Sequence, residues 1–397
     1  MRPVFTVILS LGSALAQAQN GPIAFAGGSW ADAQAAARQA HKSIFLYASS
    51  PGCHWCKPME KEVFTDPAVS AYYNATFLSY KINIDEGEGE VLAKRYEIRS
   101  MPTYLYFSPE GKLLHMSSGH KPPTDFVQDG KDAFDPGKAF FTLKERYEAG
   151  DRGADFLYTF AVAPALDQQG TLYDQVNADY LKTQKPEALA SAKNQELVFN
   201  AYGSFGAPAT QYFLVHRQAF VPQFGQAEVS AKVRRVIGNE ADELGRRNDL
   251  PGLGRLQQAL ARVMPAEAAQ WQALARIQYL LGEPKRDWPA YTEAVLDYGK
   301  KYASQDNFTL REAGVYLAFF VKDKVLLTKG DEIIRQAIAI NRSYDNLCTR
   351  AKLLHKLSRD PEAARVAQEA VTVAAKDQKN PEEATDLLAE IGQKKQG

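Results

Sequence analysis

The sequence predicts an α/β domain in its first 150 residues and an all-α region in the remainder. In the first part, short apolar runs alternate with helical patterns in the order β-α-β and then β-β-α. That order builds three layers, with one sheet between two layers of helices. From about Gly153 onward the composition shifts to Ala, Leu, Gln, Lys and Glu, with apolar residues at helical spacing. We therefore expect two structurally different parts in one chain.

The elements of the α/β domain follow from periodicity and from the Pro and Gly residues that end them. A helix over 30–42 leads into a buried strand over 43–50, and a second helix from Cys53 to about Tyr73 is interrupted near Pro67. The further predicted elements are a strand over 77–85, a helix over 88–96, strands over 104–108 and 112–118 joined by a turn over 109–111, and one helix between Thr124 and Glu148.

The first 18 residues have the pattern of a cleavable secretory signal. Arg2 precedes an apolar run from Val4 to Leu15, and alanines spaced for cleavage follow at 14–18. The run is shorter than the roughly 20 residues that span a bilayer, and no later segment of that length lacks charges. We expect an exported protein, periplasmic where an outer membrane exists and secreted otherwise, with no membrane span.

The charge balance disfavours nucleic acid as a partner. Lys plus Arg and Asp plus Glu both number 47, and no dense basic run occurs, so no long-range field attracts a polyanion. The 45% hydrophobic content of the 397 residues is enough for a large core. Proteins and small molecules are therefore the partner classes that the composition favours.

Two of the three cysteines lie three residues apart, at Cys53 and Cys56. Pro51 and Gly52 end the preceding strand and a helical pattern follows them, so Cys53 is predicted at a helix N-terminus. Peptide N–H groups and the helix dipole stabilise a thiolate there. Cys56, one turn later, is placed to resolve a mixed disulfide. In an exported chain this spacing favours redox chemistry.

Other uses of the cysteines fit less well. A structural disulfide of three-residue spacing closes a small ring and removes little chain entropy. A zinc site needs about four ligands, and no second cysteine pair exists. His115 and His120 are predicted as surface residues at a strand end, and Cys348 as an inert thiol on an apolar helical stripe. We expect no metal and no cofactor beyond the disulfide.

The chain resembles the thioredoxin family over about residues 28–150. Residues 81–107, KINIDEGEGEVLAKRYEIRSMPTYLYF, resemble the stretch of thioredoxins that carries the cis-proline loop. Residues 52–69, GCHWCKPMEKEVFTDPAV, resemble thioredoxin-like proteins related to the gamma domain of the Dsb electron carrier. The resemblance implies a thioredoxin-like domain over 19–150 with a redox-active disulfide.

The resemblance also implies the site residues. Cys53 acts as nucleophile, Cys56 resolves, and Pro102 in the cis form faces the pair. The backbone of Met101 pairs with an extended substrate strand. The predicted substrate contacts are His54, Trp55, Met101 and Thr103, and Trp55 offers a flat apolar wall unless it packs in the core.

Proton handling departs from the thioredoxin pattern. The family keeps a buried Asp six residues before the nucleophile, and Tyr47 occupies that position here. Glu60 lies one turn after Cys56, where the gamma-domain relatives also carry Glu, and Lys81 matches the lysine of the Lys-x-Asn-x-Asp stretch. We hypothesise that Glu60, tuned by Lys81, accepts the Cys56 proton. A solvated helix face is the alternative for Glu60.

The region 151–397 is predicted as helical, with tetratricopeptide-like helix pairs clearest at 344–376. Leu347, Ala351 and Leu354 are followed by Ala363, Ala367 and Ala370, and small residues at this spacing let two helices pack closely.

Two kinds of function fit these features. The first is an exported thiol–disulfide oxidoreductase, a reductase or isomerase of protein disulfides that receives electrons from a membrane or soluble donor and binds client proteins through its helical region. The second is a helical-repeat adaptor or redox sensor that uses the thioredoxin-like domain for docking. The Cys53–Cys56 pair favours the first.

Overall fold

The computed structural model describes residues 21–201, 203–302 and 306–393. The predicted signal sequence at 1–18 lies outside the described residues. The chain divides into two compact units between Gly203 and Ser204. The sequence-based boundary at residue 150 stays a prediction, and the structure adds that residues 154–200 cluster with the α/β part.

The first unit contains five strands and the helices that cover them. The strands are β1 (Phe25–Ala26), β2 (Ser43–Ser49), β3 (Phe77–Asn83), β4 (Thr103–Phe107) and β5 (Leu113–Ser118). The helices are α1 (Trp30–Ala40), α2 (Cys56–Pro58, continued by a π-helical turn over Met59–Val63), α3 (Pro67–Thr76), α4 (Glu88–Arg95), α5 (Pro123–Asp132), α6 (Phe140–Glu148), α7 (Ala154–Ala161), α8 (Thr171–Thr183) and α9 (Ala192–Asn200), with 3₁₀ turns at Leu166–Gln169 and Pro186–Ala190.

The sheet has the strand order β1-β3-β2-β4-β5. β2 runs parallel to β3 and antiparallel to β4, and β5 is antiparallel to β4. One face carries Phe45 and Tyr106, which pack with Tyr73 of α3 and Phe126 of α5. The opposite face carries Phe107, which contacts Trp30 of α1. The predicted three-layer α/β arrangement is thereby confirmed.

Two local predictions were wrong, and one strand was not predicted. The helix predicted between Thr124 and Glu148 is two helices, α5 and α6, because Pro136 cannot donate to a continuing helix and Gly137 adds backbone freedom. The helix with the second cysteine begins at Cys56, not Cys53. β1 was not predicted, because two residues are too short to show a period of two.

The second unit is helical throughout its described residues. Its helices are α10 (Pro208–His216), α11 (Val221–Phe224), α12 (Gln226–Arg246), α13 (Leu250–Val263), α14 (Ala268–Gly282), α15 (Trp288–Tyr302), α16 (Asn307–Phe320), α17 (Lys324–Ile340), α18 (Tyr344–Lys356), α19 (Asp360–Lys376) and α20 (Glu382–Gln393), with 3₁₀ turns at Arg217–Phe220 and Pro265–Glu267. The predicted all-α region is confirmed.

The predicted helix pair at 344–376 corresponds to α18 and α19, which pack against each other. Its six patterned residues are all buried. The pair is therefore a helical hairpin with a small-residue interface, and its membership of a repeat stays a prediction. Among the helices that the structure describes, none has both the length and the apolar character needed to cross a membrane.

Gly89 permits the close approach of α4 to the end of β3. A Cβ atom there would lie 1.7 Å from the carbonyl oxygen of Asn83. We expect Gly89→Ala to lower the free energy of unfolding of the first unit by about 3 kcal/mol, because the backbone must shift to admit the methyl group. Urea denaturation followed by hydrogen exchange of the β2 and β3 amides measures the loss.

Gly27→Ala is the matched control, since nothing lies within 4 Å of a Cβ built at Gly27. Equal stability of the two variants would contradict the packing role of Gly89.

Candidate active site

The two cysteines lie on the turn that follows the central strand β2. β2 ends at Ser49, and the Cys53 amide donates to the carbonyl oxygen of Ser50 at 3.1 Å, which closes a turn around Pro51 and Gly52. Helix α2 then begins at Cys56. The strand end therefore fixes where the first sulfur lies, and the helix start fixes the second.

Cys53 and Cys56 form a disulfide with an S–S distance of 2.08 Å and a Cα–Cα distance of 5.4 Å. Cys53 is 7% exposed and Cys56 is 2% exposed, so Cys53 is the more accessible of the two. The Cys56 amide donates to Cys53 Sγ at 3.1 Å. After reduction, the same N–H would stabilise a thiolate on Cys53. The more accessible sulfur is the one predicted as nucleophile, and the two roles stay predictions.

The two residues between the cysteines face solvent. Trp55 is 55% exposed, which agrees with a surface contact and excludes the core alternative. Its ring lies 5.2 Å from the ring of His54 and 5.7 Å from that of His120. The three rings form an exposed aromatic surface beside the disulfide.

The loop before β4 carries the predicted cis proline. The Met101–Pro102 peptide bond is cis. The Pro102 carbonyl oxygen accepts from the Gly119 amide at 2.9 Å, and Met101 packs against the core cluster that contains both cysteines. Thr103 is fully buried and donates to the carbonyl oxygen of Ser100 at 2.6 Å. The side chain of Thr103 is therefore buried and engaged by its own loop, and its contact with substrate stays a prediction.

Glu60 is brought together with Tyr47 and Lys81. Glu60 Oε1 accepts from the Tyr47 hydroxyl at 3.1 Å and from Lys81 Nζ at 2.8 Å. The side chains of Glu60 and Lys81 are 39% and 41% exposed. Glu60 is therefore held from the sheet side and reaches solvent on the other.

Tyr47 is fully buried where the family carries Asp. Burial raises the pKa of Tyr47 well above its usual range, and the negative charge of Glu60 raises it further. The phenol consequently stays protonated at working pH and acts as a permanent hydrogen-bond donor to Glu60.

A second polar cluster, centred on Asp129 of α5, was missed by sequence reasoning. Asp129 Oδ2 accepts from the Tyr106 hydroxyl at 2.7 Å and the Ser117 hydroxyl at 2.5 Å. Asp129 Oδ1 lies 3.3 Å from His115 Nε2 and 3.6 Å from Lys121 Nζ. The predicted surface position of His115 was wrong, because its ring is buried against this carboxylate.

The hydrogen bonds of His115 define its tautomer. The Phe140 amide donates to His115 Nδ1 at 3.1 Å, so the ring proton lies on Nε2 and points to Asp129. Burial raises the pKa of Asp129, but hydrogen bonds from His115 and Ser117 and the charge of Lys121 outweigh it and hold that pKa below its usual value. Lys121 is the cation that balances this buried carboxylate.

The Asp129 cluster is linked to the disulfide through the segment 119–121. The Lys121 amide contacts Met59 Sδ at 3.4 Å, and the Gly119 carbonyl oxygen accepts from the Tyr104 hydroxyl at 3.0 Å. His120 lies between them and contacts Trp55. No sequence motif marks this link, although an Asp on an otherwise apolar helix face was a usable signal.

No group of three or more His, Cys, Asp or Glu residues in the described chain is arranged to hold a metal ion. Cys348 is buried on α18, and burial raises the pKa of its thiol to about 11. It therefore stays a thiol under physiological conditions, as the sequence predicts.

Asp129→Asn should lower the free energy of unfolding of the first unit by about 3 kcal/mol at pH 7, because it leaves the part-buried Lys121 without its counter-charge. The folded-state pKa of Asp129 is lowered, so its contribution is present above the unfolded pKa and is lost as pH falls through the folded one. The difference between wild type and Asp129→Asn should therefore shrink in acid. Urea denaturation at pH 7 and near pH 3 measures it.

Asp125→Asn, on an exposed turn of the same helix, is the control. A stability difference for Asp129→Asn that did not change with pH would contradict the ionised state of Asp129.

Comparisons with known proteins include one family model whose match covers this site. The family model of the thioredoxin-like domain matches residues 30–133. Two similar proteins are called thiol:disulfide interchange protein DsbD. That of Photorhabdus laumondii is 29% identical over 78 residues, 19% of this chain and 14% of that protein. That of Pectobacterium atrosepticum is 28% identical over 85 residues, 21% of this chain and 15% of that protein.

The chain therefore spans about a seventh of the length of these relatives. Among solved structures, a thioredoxin from Thermus thermophilus is 26% identical, with a TM-score of 0.26, covering 27% of this chain and 85% of that one. The family match and the strand order agree with each other and with the paired cysteines. Residues 30–133 match the thioredoxin-like domain model and form a thioredoxin-like α/β domain, and the rest of the chain after them is largely helical in its described residues.

Proposed function

We propose that this protein is an exported thiol–disulfide oxidoreductase that reduces or isomerises protein disulfides. The observation that carries the proposal is the Cys53–Cys56 disulfide on the turn between β2 and α2 of a thioredoxin-like domain. A disulfide of this spacing adds little stability through chain entropy, so its chemistry is the better explanation of its presence.

The proposed reaction passes through one mixed disulfide. The Cys53 thiolate attacks a substrate disulfide, one substrate sulfur leaves as a thiolate, and Cys53 becomes bonded to the other. The Cys56 thiolate then attacks Cys53 Sγ, which closes the Cys53–Cys56 bond and releases the second substrate thiolate. Two electrons pass from the protein to the substrate. In isomerisation, another thiolate of the substrate attacks the substrate sulfur of the mixed disulfide instead of Cys56 attacking Cys53. A new substrate disulfide forms, and Cys53 leaves as a thiolate.

The substrate surface is proposed to consist of His54, Trp55 and Met101. Trp55 and His54 supply exposed rings beside the sulfur pair, and the backbone of Met101 would pair with an extended substrate segment. Protein disulfides fit this surface because such a segment presents both a disulfide and a peptide backbone.

The direction of electron flow is proposed to be reducing. The oxidase pattern Cys-Pro-His-Cys is absent, and His54 follows the nucleophile directly. A membrane or soluble donor would then return electrons to the disulfide. Export is proposed from the signal-like pattern of the first 18 residues.

The second unit is proposed to contact client proteins. On α16, Phe319 is 73% exposed and Phe320 is 50% exposed, and Phe320 stacks on Trp288 at 6.1 Å between ring centroids. Exposed aromatic groups of this size are typical of protein contacts. The same observation would suit the alternative function, a redox-sensing adaptor.

A Cys56→Ser variant should accumulate mixed disulfides on Cys53 in the exported compartment, because the resolving thiol is gone. Cys53→Ser should form none and should reduce turnover of a protein disulfide to background. Non-reducing electrophoresis with mass spectrometry of the adducts measures both effects. Cys348→Ser is the control and should behave as wild type, since that thiol is buried. Absence of adducts on Cys53 would contradict an oxidoreductase and favour the adaptor.

The redox potential of the pair should lie nearer to that of thioredoxin, about −270 mV, than to that of the strongest oxidant of the family, about −120 mV. Equilibration with glutathione or dithiothreitol buffers, followed by alkylation and mass spectrometry of Cys53 and Cys56, measures it. A potential near −120 mV would contradict the reducing direction and leave the exchange chemistry itself intact.

A further inference from the structure

Three side chains form a row across the centre of the sheet. Tyr47 of β2 lies directly opposite Lys81 of β3 on one side and Tyr104 of β4 on the other. Residues paired in register point to the same face of a sheet. That face is the one covered by α2, the helix that carries Cys56 and leads into the turn with Glu60.

The ring of Tyr47 is held by packing contacts on several sides. It stacks on Tyr104 with centroids 6.1 Å apart and planes 17° apart, and it meets Phe64 edge-on at 4.9 Å. Lys81 Nζ lies 5.5 Å from the ring centroid. With the ring packed on these sides, the direction of the Tyr47 hydroxyl is fixed.

That hydroxyl determines where Glu60 lies. Tyr47 and Lys81 both donate to Glu60 Oε1, at 3.1 and 2.8 Å. Lys81 is a long, partly exposed side chain, and an exposed ion pair holds geometry weakly. Tyr47 is buried and stays protonated, so it is the rigid member of the two donors.

Glu60 follows Cys56 by four residues on one continuous helical stretch. Residues at this spacing lie on the same face of a helix, one turn apart. Because Oε1 holds both donors, we assign acceptance of the Cys56 proton to the other carboxylate oxygen.

We propose that Tyr47 is a positioning residue of the redox site, which holds the Glu60 carboxylate in place to accept the Cys56 proton. The inference rests on the proposed function. In the step concerned, the Cys56 S–H proton passes to Glu60, and the Cys56 thiolate attacks Cys53 Sγ of the mixed disulfide. The Cys53–Cys56 bond forms, the bond from Cys53 to the substrate sulfur breaks, and the departing substrate thiolate takes the proton from Glu60.

The role belongs to one step only. Attack by Cys53 on the substrate does not involve Glu60, whereas resolution by Cys56 does. Removal of the Tyr47 hydroxyl should therefore slow the second step and leave the first unchanged. A general loss of packing would instead disturb both steps, since both sulfurs lie in the same core cluster as Tyr47.

Rapid-quench mass spectrometry of the reduced full-length protein with a peptide disulfide separates the two rates. We expect Tyr47→Phe to slow the decay of the mixed disulfide about tenfold, as a misplaced catalytic group does, while its formation rate stays at the wild-type value. Glu60→Gln should slow the decay about a hundredfold. The double variant should match Glu60→Gln alone, because Tyr47 acts through Glu60.

Tyr80→Phe is the matched control. Tyr80 also lies on a central strand and donates to a glutamate, Glu88 Oε2, at 3.2 Å, but on the opposite face of the sheet. Both of its rates should equal those of wild type. The unchanged formation rate of Tyr47→Phe also reports that this variant is folded.

Two results would overturn the role of Tyr47 and leave the exchange chemistry intact. One is a double variant whose mixed disulfide decays more slowly than that of Glu60→Gln by the factor measured for Tyr47→Phe alone. The other is a Tyr47→Phe variant whose mixed disulfide decays at the wild-type rate. A wild-type protein that formed no mixed disulfide would overturn the proposed function and the role of Tyr47 together.

Discussion

The register of β2 against its two neighbours is the constraint on which the site depends. Pairing with β3 and β4 places Tyr47 between Lys81 and Tyr104 and brings the end of the strand to the turn that carries Cys53. A shift of one residue would turn every β2 side chain to the other face of the sheet. The hydroxyl beneath Glu60 would then point away from α2. Core packing and chemistry are set by the same register, because Phe45 and Tyr47 share one face.

Two polar clusters lie on that face, and they differ in how the carboxylate is balanced. Asp129 is deeply buried and receives hydrogen bonds from several side chains, which suits a group that must stay ionised and fixed. Glu60 is part-exposed and held at one oxygen. A carboxylate that exchanges protons needs a path to solvent or to a thiol, and a structural carboxylate needs none. The Asp129 cluster contacts the segment beside Trp55, and the Glu60 cluster lies one helical turn after Cys56.

Local signals were sufficient for strands β2 to β5, for α1, α3 and α4, and for the paired cysteines, because each depends on residues close in sequence. The cis form of Pro102 was implied by the resemblance to thioredoxins. The Asp129 cluster was not predicted, because it joins β4, β5 and α5 through contacts that depend on tertiary packing. The burial of Thr103 has the same cause, because all of β4 is buried by tertiary packing on both faces of the sheet.

Which sulfur reacts first follows from the same geometry. In the reduced pair, the sulfur whose negative charge is better stabilised ionises more readily, and as the thiolate it is the one that attacks first. The Cys56 amide points at Cys53 Sγ, whereas Cys56 is the more buried sulfur and lies one turn before a carboxylate. Charge on Cys53 is thus favoured, and charge on Cys56 is opposed until its proton has somewhere to go. Under the proposed mechanism, this asymmetry calls for a proton acceptor in the resolving step and not in the first attack. In that proposal Glu60 on the helix supplies the carboxylate that the family's buried Asp supplies elsewhere, and the buried Tyr47 hydroxyl holds it.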